Sequence, residues 1–294
     1  MRSWEYVTTN SRSLHARTRA VVYYRRRPPA QPVGGAEGAN LVDLQGRGVL
    51  IAGARRVGAV VAHRLAREGA SLALTYRSSQ GAMERLRDEL ALPPGRVLLV
   101  QGDLSREDDV ARVVQTARAG LGDLFAVVNL ASDYERTPLD TLDGAAWDRS
   151  MATAKASYLL ATHAARAMQA NAGPVRGHLV LFGDWAAGPT PYRHYLPYLT
   201  AKAAVQFMAR AFAAELAPSG ILCNAVAPGP TIRPPGIPPA AWQRDVLDHT
   251  PLGRESSADD IAEVIVTLLR SESITGEVIR VDAGRHVAGP GWPS

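Results

Sequence analysis

A single α/β domain built on a doubly wound parallel sheet of about seven strands is what this sequence predicts, and three observations predict it. Seven short apolar runs recur between residues 49 and 284, amphipathic stretches separate them, and most of the 294 residues fall in that repeating part. A sheet of this kind needs roughly 230 to 260 residues, which is about what remains once ragged ends are set aside. The runs are VLIAG (49–53), SLALTY (71–76), VLLVQGD (97–103), LFAVVNLA (124–131), HLVLFGD (178–184), ILCNAVAP (221–228) and VIRVDAG (278–284). Each has the length of a buried parallel strand. Between them, Val57, Val61 and Leu65, or Ile261, Ile265 and Leu268, recur at helical spacing. Strand, helix, strand repeated this way predicts helices on both faces of a parallel sheet.

Residues 1–40 have a different character. They lack apolar periodicity, collect Arg, Pro and Gly and end in RRRPPAQPVGGAEGAN, which predicts a disordered basic tail followed by a folded domain over 41–294. Seven Arg face Glu5 and Glu37 there, so the whole net charge of +5 sits in the tail, and 26 basic residues balance 26 acidic ones beyond it. A nucleic-acid footprint is therefore not expected on the domain. No window holds the 18 or so uninterrupted apolar residues of a membrane span, and a soluble, cytoplasmic protein is expected. The Arg- and Ser-rich tail also resembles a mitochondrial presequence, and a start codon assigned too far upstream would look the same. Cys223 is the single cysteine, which excludes an internal disulfide and a thiolate metal cluster and suits a reducing compartment. The seven histidines show no ligand spacing, so no metal is expected.

The first run leads directly into GARRVG, Gly53 to Gly58, and then into a helix. In a Rossmann-type fold that strand–turn–helix unit carries the pyrophosphate of a dinucleotide on the helix amides. Glycines at a helix start also serve packing alone, so the context carries the inference. The second run ends in Arg77, Ser78 and Ser79 instead of the acidic residue that binds a free ribose, which favours a 2′-phosphate and hence NADPH. Arg55 and Arg56 add charge where phosphates would lie, since a guanidinium binds phosphate through two parallel hydrogen bonds. The alternative for each is a solvated surface arginine. Asp103, ending the third run, either reaches the adenine edge or caps the next helix. Asn129, ending the fourth, braces the sheet near the cofactor.

The segment YLTAK places Tyr198 and Lys202 four residues apart on one helical face. A tyrosine has an ordinary pKa near 10, and a neighbouring ammonium favours its phenolate, so Lys202 is expected to make Tyr198 a usable acid/base. The chain carries 31 Arg but only two Lys, Lys155 and Lys202, which suggests that position 202 requires a compact ammonium, although one lysine can stand there by chance.

With these residues in place, the chain resembles the short-chain dehydrogenase/reductase family over about positions 45–286. The resemblance rests on the glycine turn, GDLS, the strand ending at Asn129, the Tyr198–Lys202 pair, APGP (227–230), TPLGR (250–254) and ITGEVIRVDAGR near the end. It implies cofactor contacts from Val57, Leu104, Ala131, Pro228, Gly229 and Thr231 in addition to those above. It also implies a homodimer or homotetramer formed through the helices near 147–170 and 198–217. Where most of the family has a serine, this chain has Asp184, and with RRVG and VNLASDYERTPL it resembles the pteridine reductase branch. That resemblance places Ser132 near cofactor phosphate and substrate, and Tyr134 where a flat ring stacks, or else on the surface as an ordinary loop residue. Three positions depart from the pattern: the four-residue loop between Gly53 and Gly58 with Ile51 and Ala52 before it, Leu130 for an Asn, and Thr153 for a helix Asn. They bear on cofactor affinity and proton relay.

The expected function is NADPH-dependent reduction of a pterin-like C=N or a related flat carbonyl, with Asp184, Tyr198 or an intervening water giving the proton. Phe182 and Trp185 are expected to shield Asp184 and raise its pKa, whereas a capping or salt-bridged carboxylate is the plain alternative. The other readings are a general ketone or 3-oxoacyl reductase and a non-catalytic NADP-binding regulator. The proline-rich segment 231–254 is expected to form a partly stiffened lid.

Overall fold

The computed structural model of the protein describes residues 4–9, 21–26, 41–188, 190–233 and 236–288. The chain divides into two units, residues 1–40 and 41–294. In the first, β1 (Trp4–Thr9) and β2 (Val21–Arg26) pair antiparallel, with Trp4 opposite Arg26 and Thr9 opposite Val21. A reading of 1–40 as disordered does not anticipate this ladder. WEYVTT and VVYYRR are rich in β-branched and aromatic residues, whose strand preference outweighs the missing longer periodicity. The rest of the tail lies outside the described residues.

The second unit alternates strand and helix as the sequence predicts. In chain order it holds β3 (Gly48–Ala52), α1 (Val57–Arg67), β4 (Ser71–Tyr76), α2 (Gln80–Leu90), β5 (Val97–Gln101), α3 (Glu107–Leu121) and β6 (Ala126–Asn129). It continues through α4 (Gly144–Met168), β7 (Gly177–Phe182), α5 (Leu196–Leu216), β8 (Ile221–Pro228), α6 (Pro239–Asp245), α7 (Ala258–Arg270) and β9 (Val278–Val281). The seven strands β3 to β9 form one sheet in the order β5-β4-β3-β6-β7-β8-β9, and every neighbouring pair is parallel. The order reverses at β3, which lies between β4 and β6. Connections leaving β3 and β6 therefore part to opposite sides and open a crevice at the strand ends, where such sheets bind ligands.

Alternation along the strands builds two cores. Val49 and Ile51 of β3, Leu72 and Leu74 of β4, and Val180 of β7 face one side, against Val61 and Leu65 of α1, Leu86 of α2 and Ile261, Ile265 and Leu268 of α7. Leu50 and Ala52, Ala73, and Leu179 and Leu181 face the other, against Val110 and Val113 of α3, Leu160 and Ala164 of α4, and Val205 and Ala209 of α5. Each Leu or Ile fully removed from water stabilises the fold by about 1.5–3 kcal/mol. Trp147 and Tyr158 of α4 and Phe207 of α5 stay exposed on the two helices through which pairing is expected. No described helix is long and apolar enough to cross a membrane.

Two helices carry side-chain caps, and α1 is among those that do not. Asp143 caps α4 by accepting from the Ala146 N–H at 2.7 Å, and Ser257 caps α7 by accepting from Asp259 and Asp260. The N-terminus of α1 has no side-chain cap and no acidic residue in its first turn. Its Gly58 and Ala59 N–H groups bond back to the Arg55 and Arg56 carbonyls, and Val57 and Gly58 line the crevice, so no side chain stands between this helix end and an anion there.

Candidate active site

A cavity of about 1220 Å³ runs along the crevice. At one end it is lined by Gly53, Arg55, Arg56, Val57 and Gly58 of the glycine turn, with Arg77 beyond β4 and Asp103 and Leu104 beyond β5. Ala131, Ser132 and Tyr134 after β6 line its middle. Asp184, Trp185, Tyr192 and Tyr198 form the far end, with Pro228, Gly229 and Thr231 beside them.

The glycine turn closes tightly. Gly53 has φ +79°, and a Cβ there would lie 2.7 Å from the Ala131 N, so only glycine lets the turn approach the end of β6. A Cβ at Gly229 would lie 2.6 Å from the Asp282 Cα, which holds the chain after β8 against that after β9. Arg56 itself has φ +52° and ψ −115°, a conformation that costs a residue other than glycine about 1–3 kcal/mol. Its guanidinium donates to the Ile232 carbonyl at 2.8 Å, which ties the turn to the segment after β8.

Several expected contacts fall elsewhere. Ser78 does not line the cavity; its neighbour Ser79 does, because the chain turns into α2 at that point. Asn129 lies buried beneath the site, not in it. Its amide donates to the Ser157 hydroxyl at 3.0 Å and its carbonyl accepts from the Ala131 N–H at 3.2 Å, so it braces the end of β6. Asp103 lines the cavity, yet its Oδ1 accepts from the Ser105 hydroxyl at 2.7 Å and the Ser105 N–H at 3.0 Å. Those bonds hold its pKa below the ordinary value and shape the turn before α3.

At the far end, Asp184 Oδ2 accepts from the Tyr198 hydroxyl at 2.9 Å and the Tyr192 hydroxyl at 3.3 Å, while Oδ1 accepts from the Ala186 N–H at 2.8 Å. Burial raises the Asp184 carboxyl above the usual carboxylate range, although these bonds and the Lys202 charge pull the other way. Lys202 shares a face of α5 with Tyr198 but does not line the cavity. It is buried, donates to the Phe182 carbonyl at 2.8 Å, and its nitrogen stands 5.8 Å from the Tyr198 ring centre. Burial brings its ammonium down to about 8, against the pull of Asp184 and Asp133.

The expectation that Lys202 lowers the Tyr198 pKa is corrected here. Burial first, and the Asp184 charge second, push the Tyr198 phenol well above its ordinary value. A carboxylate in direct hydrogen bond outweighs an ammonium farther off, because neither is screened by water. The phenol therefore keeps its proton and is poised as a donor. Thr153 of α4 donates to Asp133 Oδ1 at 3.0 Å, so the residue standing at the helix asparagine's place fixes a carboxylate and makes no bond to Lys202.

Aromatic rings close the site. Tyr134 stacks on Tyr195 with centroids 4.5 Å apart and an interplanar angle of 20°, meets Tyr198 edge-on at 5.0 Å and remains 57% exposed. Sequence reasoning missed Tyr192, Tyr195, Thr75, Arg149 and Arg285 at this site. The aromatic repetition in PYRHYLPY was the available signal for the tyrosines. Nothing local marks the other three, which the fold brings in from the end of β4, the first turns of α4 and the turn after β9.

The residues fit a dinucleotide. The α1 amides are uncapped, three arginines line the same end, and the buried Thr75 hydroxyl on the cavity wall has no partner among the described residues. A parallel sheet with this crevice, ending at a buried carboxyl–phenol pair backed by an ammonium, defines a dinucleotide-dependent oxidoreductase. Residues 51–286 match the family model described as Enoyl-(Acyl carrier protein) reductase, and the chain belongs to the short-chain dehydrogenase/reductase family. It is 28% identical over 261 residues to the hydroxynaphthalene reductase-like protein Arp2 of Metarhizium anisopliae, covering 82% of this chain and 96% of that one. It is 30% identical over 254 residues to a glucose 1-dehydrogenase of Gluconobacter oxydans, covering 83% and 93%. Among solved structures, a Burkholderia cenocepacia short chain dehydrogenase in complex with NADP superposes with a TM-score of 0.75 at 27% identity, covering 83% of this chain and 99% of that one. These relatives are named for hydroxynaphthalene and glucose, so the pteridine reductase branch does not follow from family membership.

Proposed function

We propose that this chain is an NADPH-dependent reductase of a polarised C=N or C=O bond in a flat ring, a dihydropterin or a hydroxynaphthalene-like ketone tautomer. The Asp184–Tyr198 hydrogen bond at 2.9 Å carries the reading, since a buried phenol joined to a carboxyl at the aromatic end of the cavity is suited to giving a proton. NADPH, when bound, supplies a hydride. The α1 amides, Arg55 and Arg56 hold its phosphates, Arg77 and Ser79 its 2′-phosphate, and Tyr134 and Ser132 flank the substrate ring. Tyr198 delivers the matching proton to the oxygen or nitrogen of the reduced bond, so hydride and proton together saturate it. The Lys202 ammonium stabilises the phenolate left behind, and Asp184, in hydrogen bond with it, passes back a proton taken from solvent through the open cavity.

The reading is tested by mixing the protein with NADPH and a dihydropterin, a hydroxynaphthalene or an acetoacetyl thioester, and separately with NADP and glucose, while following the reduced nicotinamide by absorbance. Reduction of a ring substrate at least tenfold better in kcat/KM than the thioester is expected. Faster turnover of the thioester or of glucose would sink the ring assignment, and no turnover with any of the four would sink the reductase.

Cofactor preference has its own test. Arg77→Glu sets a negative charge against the 2′-phosphate and removes a charge-assisted hydrogen bond worth about 1.5–3 kcal/mol. NADPH binding, measured by fluorescence titration, should weaken tenfold or more while NADH binding changes little. Equal losses for both would remove Arg77 from the 2′-phosphate.

A further inference from the structure

Five arginines line the cavity, and four of them have evident work. Arg55, Arg56 and Arg77 sit at the phosphate end, and Arg149 is held by Glu135 through two bonds at 3.0 and 3.1 Å. The fifth, Arg285, stands in the short turn after β9, at the aromatic end. Its guanidinium carbon lies 5.6 Å from the Trp185 ring centre, and Trp185 is the residue next to Asp184. Its Nη1 donates to the Val246 carbonyl at 3.2 Å, and it makes no ion pair among the described residues. The carboxylates around it are already engaged. Asp245, on the same wall, is bound by Arg244 at 2.7 and 3.0 Å. Asp282 takes the Gly284 and His286 N–H groups and the His286 ring, and Asp184 takes the two phenols.

A half-buried guanidinium on the cavity wall has donors to spare, and partial burial, which lowers its pKa, makes an anion a better partner for it than water alone. With Nη1 held by the Val246 carbonyl, Nε and Nη2 make no bond among the described residues and can give two parallel bonds to a carboxylate beside the indole. We propose that Arg285 is the substrate's anion-recognition residue, so that the ring substrate carries a carboxylate seated on Arg285 while its reducible bond faces Tyr198. This rests on the ring-reductase reading for the identity of the substrate, but the anion site is tested without turnover.

Calorimetry on the NADP-loaded protein, with 2-naphthoate and 2-naphthamide as probes, separates the possibilities. Naphthoate should bind at least tenfold more tightly than naphthamide. Arg285→Gln should remove that difference by weakening naphthoate tenfold or more while naphthamide stays within twofold, and Arg285→Lys should keep part of it. NADP affinity should not move. The proposal is overturned if naphthoate fails to bind or shows no preference. It is equally overturned if Arg285→Gln weakens both probes alike, as a mere prop for the 239–249 segment would, or weakens NADP itself, as a cofactor ligand would. Should discrimination follow Arg285 while no ring substrate is reduced, the anion site stands and the reductase reading falls.

Discussion

Asp184→Asn is expected to lower turnover of the ring substrate by about 10²–10⁴ while NADPH binding is unchanged. The amide keeps the shape of the carboxyl and can still bond Tyr198, but it can no longer exchange a proton. Because burial raises the Asp184 pKa, the native group is able to hold that proton at a pH where an exposed aspartate could not. Tyr198→Phe serves as the reference and should damage reduction of every substrate, since it removes the phenol proposed to give the proton. Asp184→Ser should then favour simple ketones over a dihydropterin, because a serine hydroxyl orients a carbonyl but is a poor acid for a ring nitrogen. Steady-state kcat with each substrate, alongside NADPH titration, checks all three. If Asp184→Asn keeps near-normal turnover while Tyr198→Phe abolishes it, Asp184 is a structural acceptor for the Tyr198, Tyr192 and Ala186 donors and nothing more.

The second large effect is expected far from the site. His178 in β7 is 1% exposed, meets Phe125 edge-on at 5.2 Å, and neither ring nitrogen has a hydrogen-bond partner among the described residues. Burial lowers its pKa from 6.5 to about 4. The unfolded chain therefore binds a proton below pH 6.5 that the folded chain refuses until about pH 4, so stability is full above 6.5 and falls as the pH drops through that window. At 1.36 kcal/mol per unit the loss amounts to about 3 kcal/mol by pH 4. His178→Leu removes the titration and two unpartnered nitrogens, and should flatten this part of the stability profile without loss at pH 7. Urea unfolding of both proteins between pH 7 and 4 measures the difference. Parallel profiles would show that the imidazole finds a partner or water in solution.

Local sequence determined the strands well because a strand buried on both faces must be apolar along its length. SLALTY and ILCNAVAP coincide with β4 and β8 to the residue. The runs VLLVQGD, LFAVVNLA, HLVLFGD and VIRVDAG all continue past the strand's end, since β5, β6, β7 and β9 stop at Gln101, Asn129, Phe182 and Val281. Their surplus residues are the loops that line the crevice, where small and polar residues serve the cavity and not the ladder. The glycine turn and the Tyr198–Lys202 spacing were likewise legible, each being fixed by a few consecutive residues on one element. What no local pattern could decide is which groups meet across strand ends. Asp184 and Tyr198 are 14 residues apart and share a proton only because β7 and the start of α5 converge there. Arg285 reaches the same cavity from the turn after the edge strand β9, two strands from β7. The direction of the Tyr198 pKa also depended on that meeting, since a carboxylate in contact within a dry pocket outweighs a lysine on the same helix.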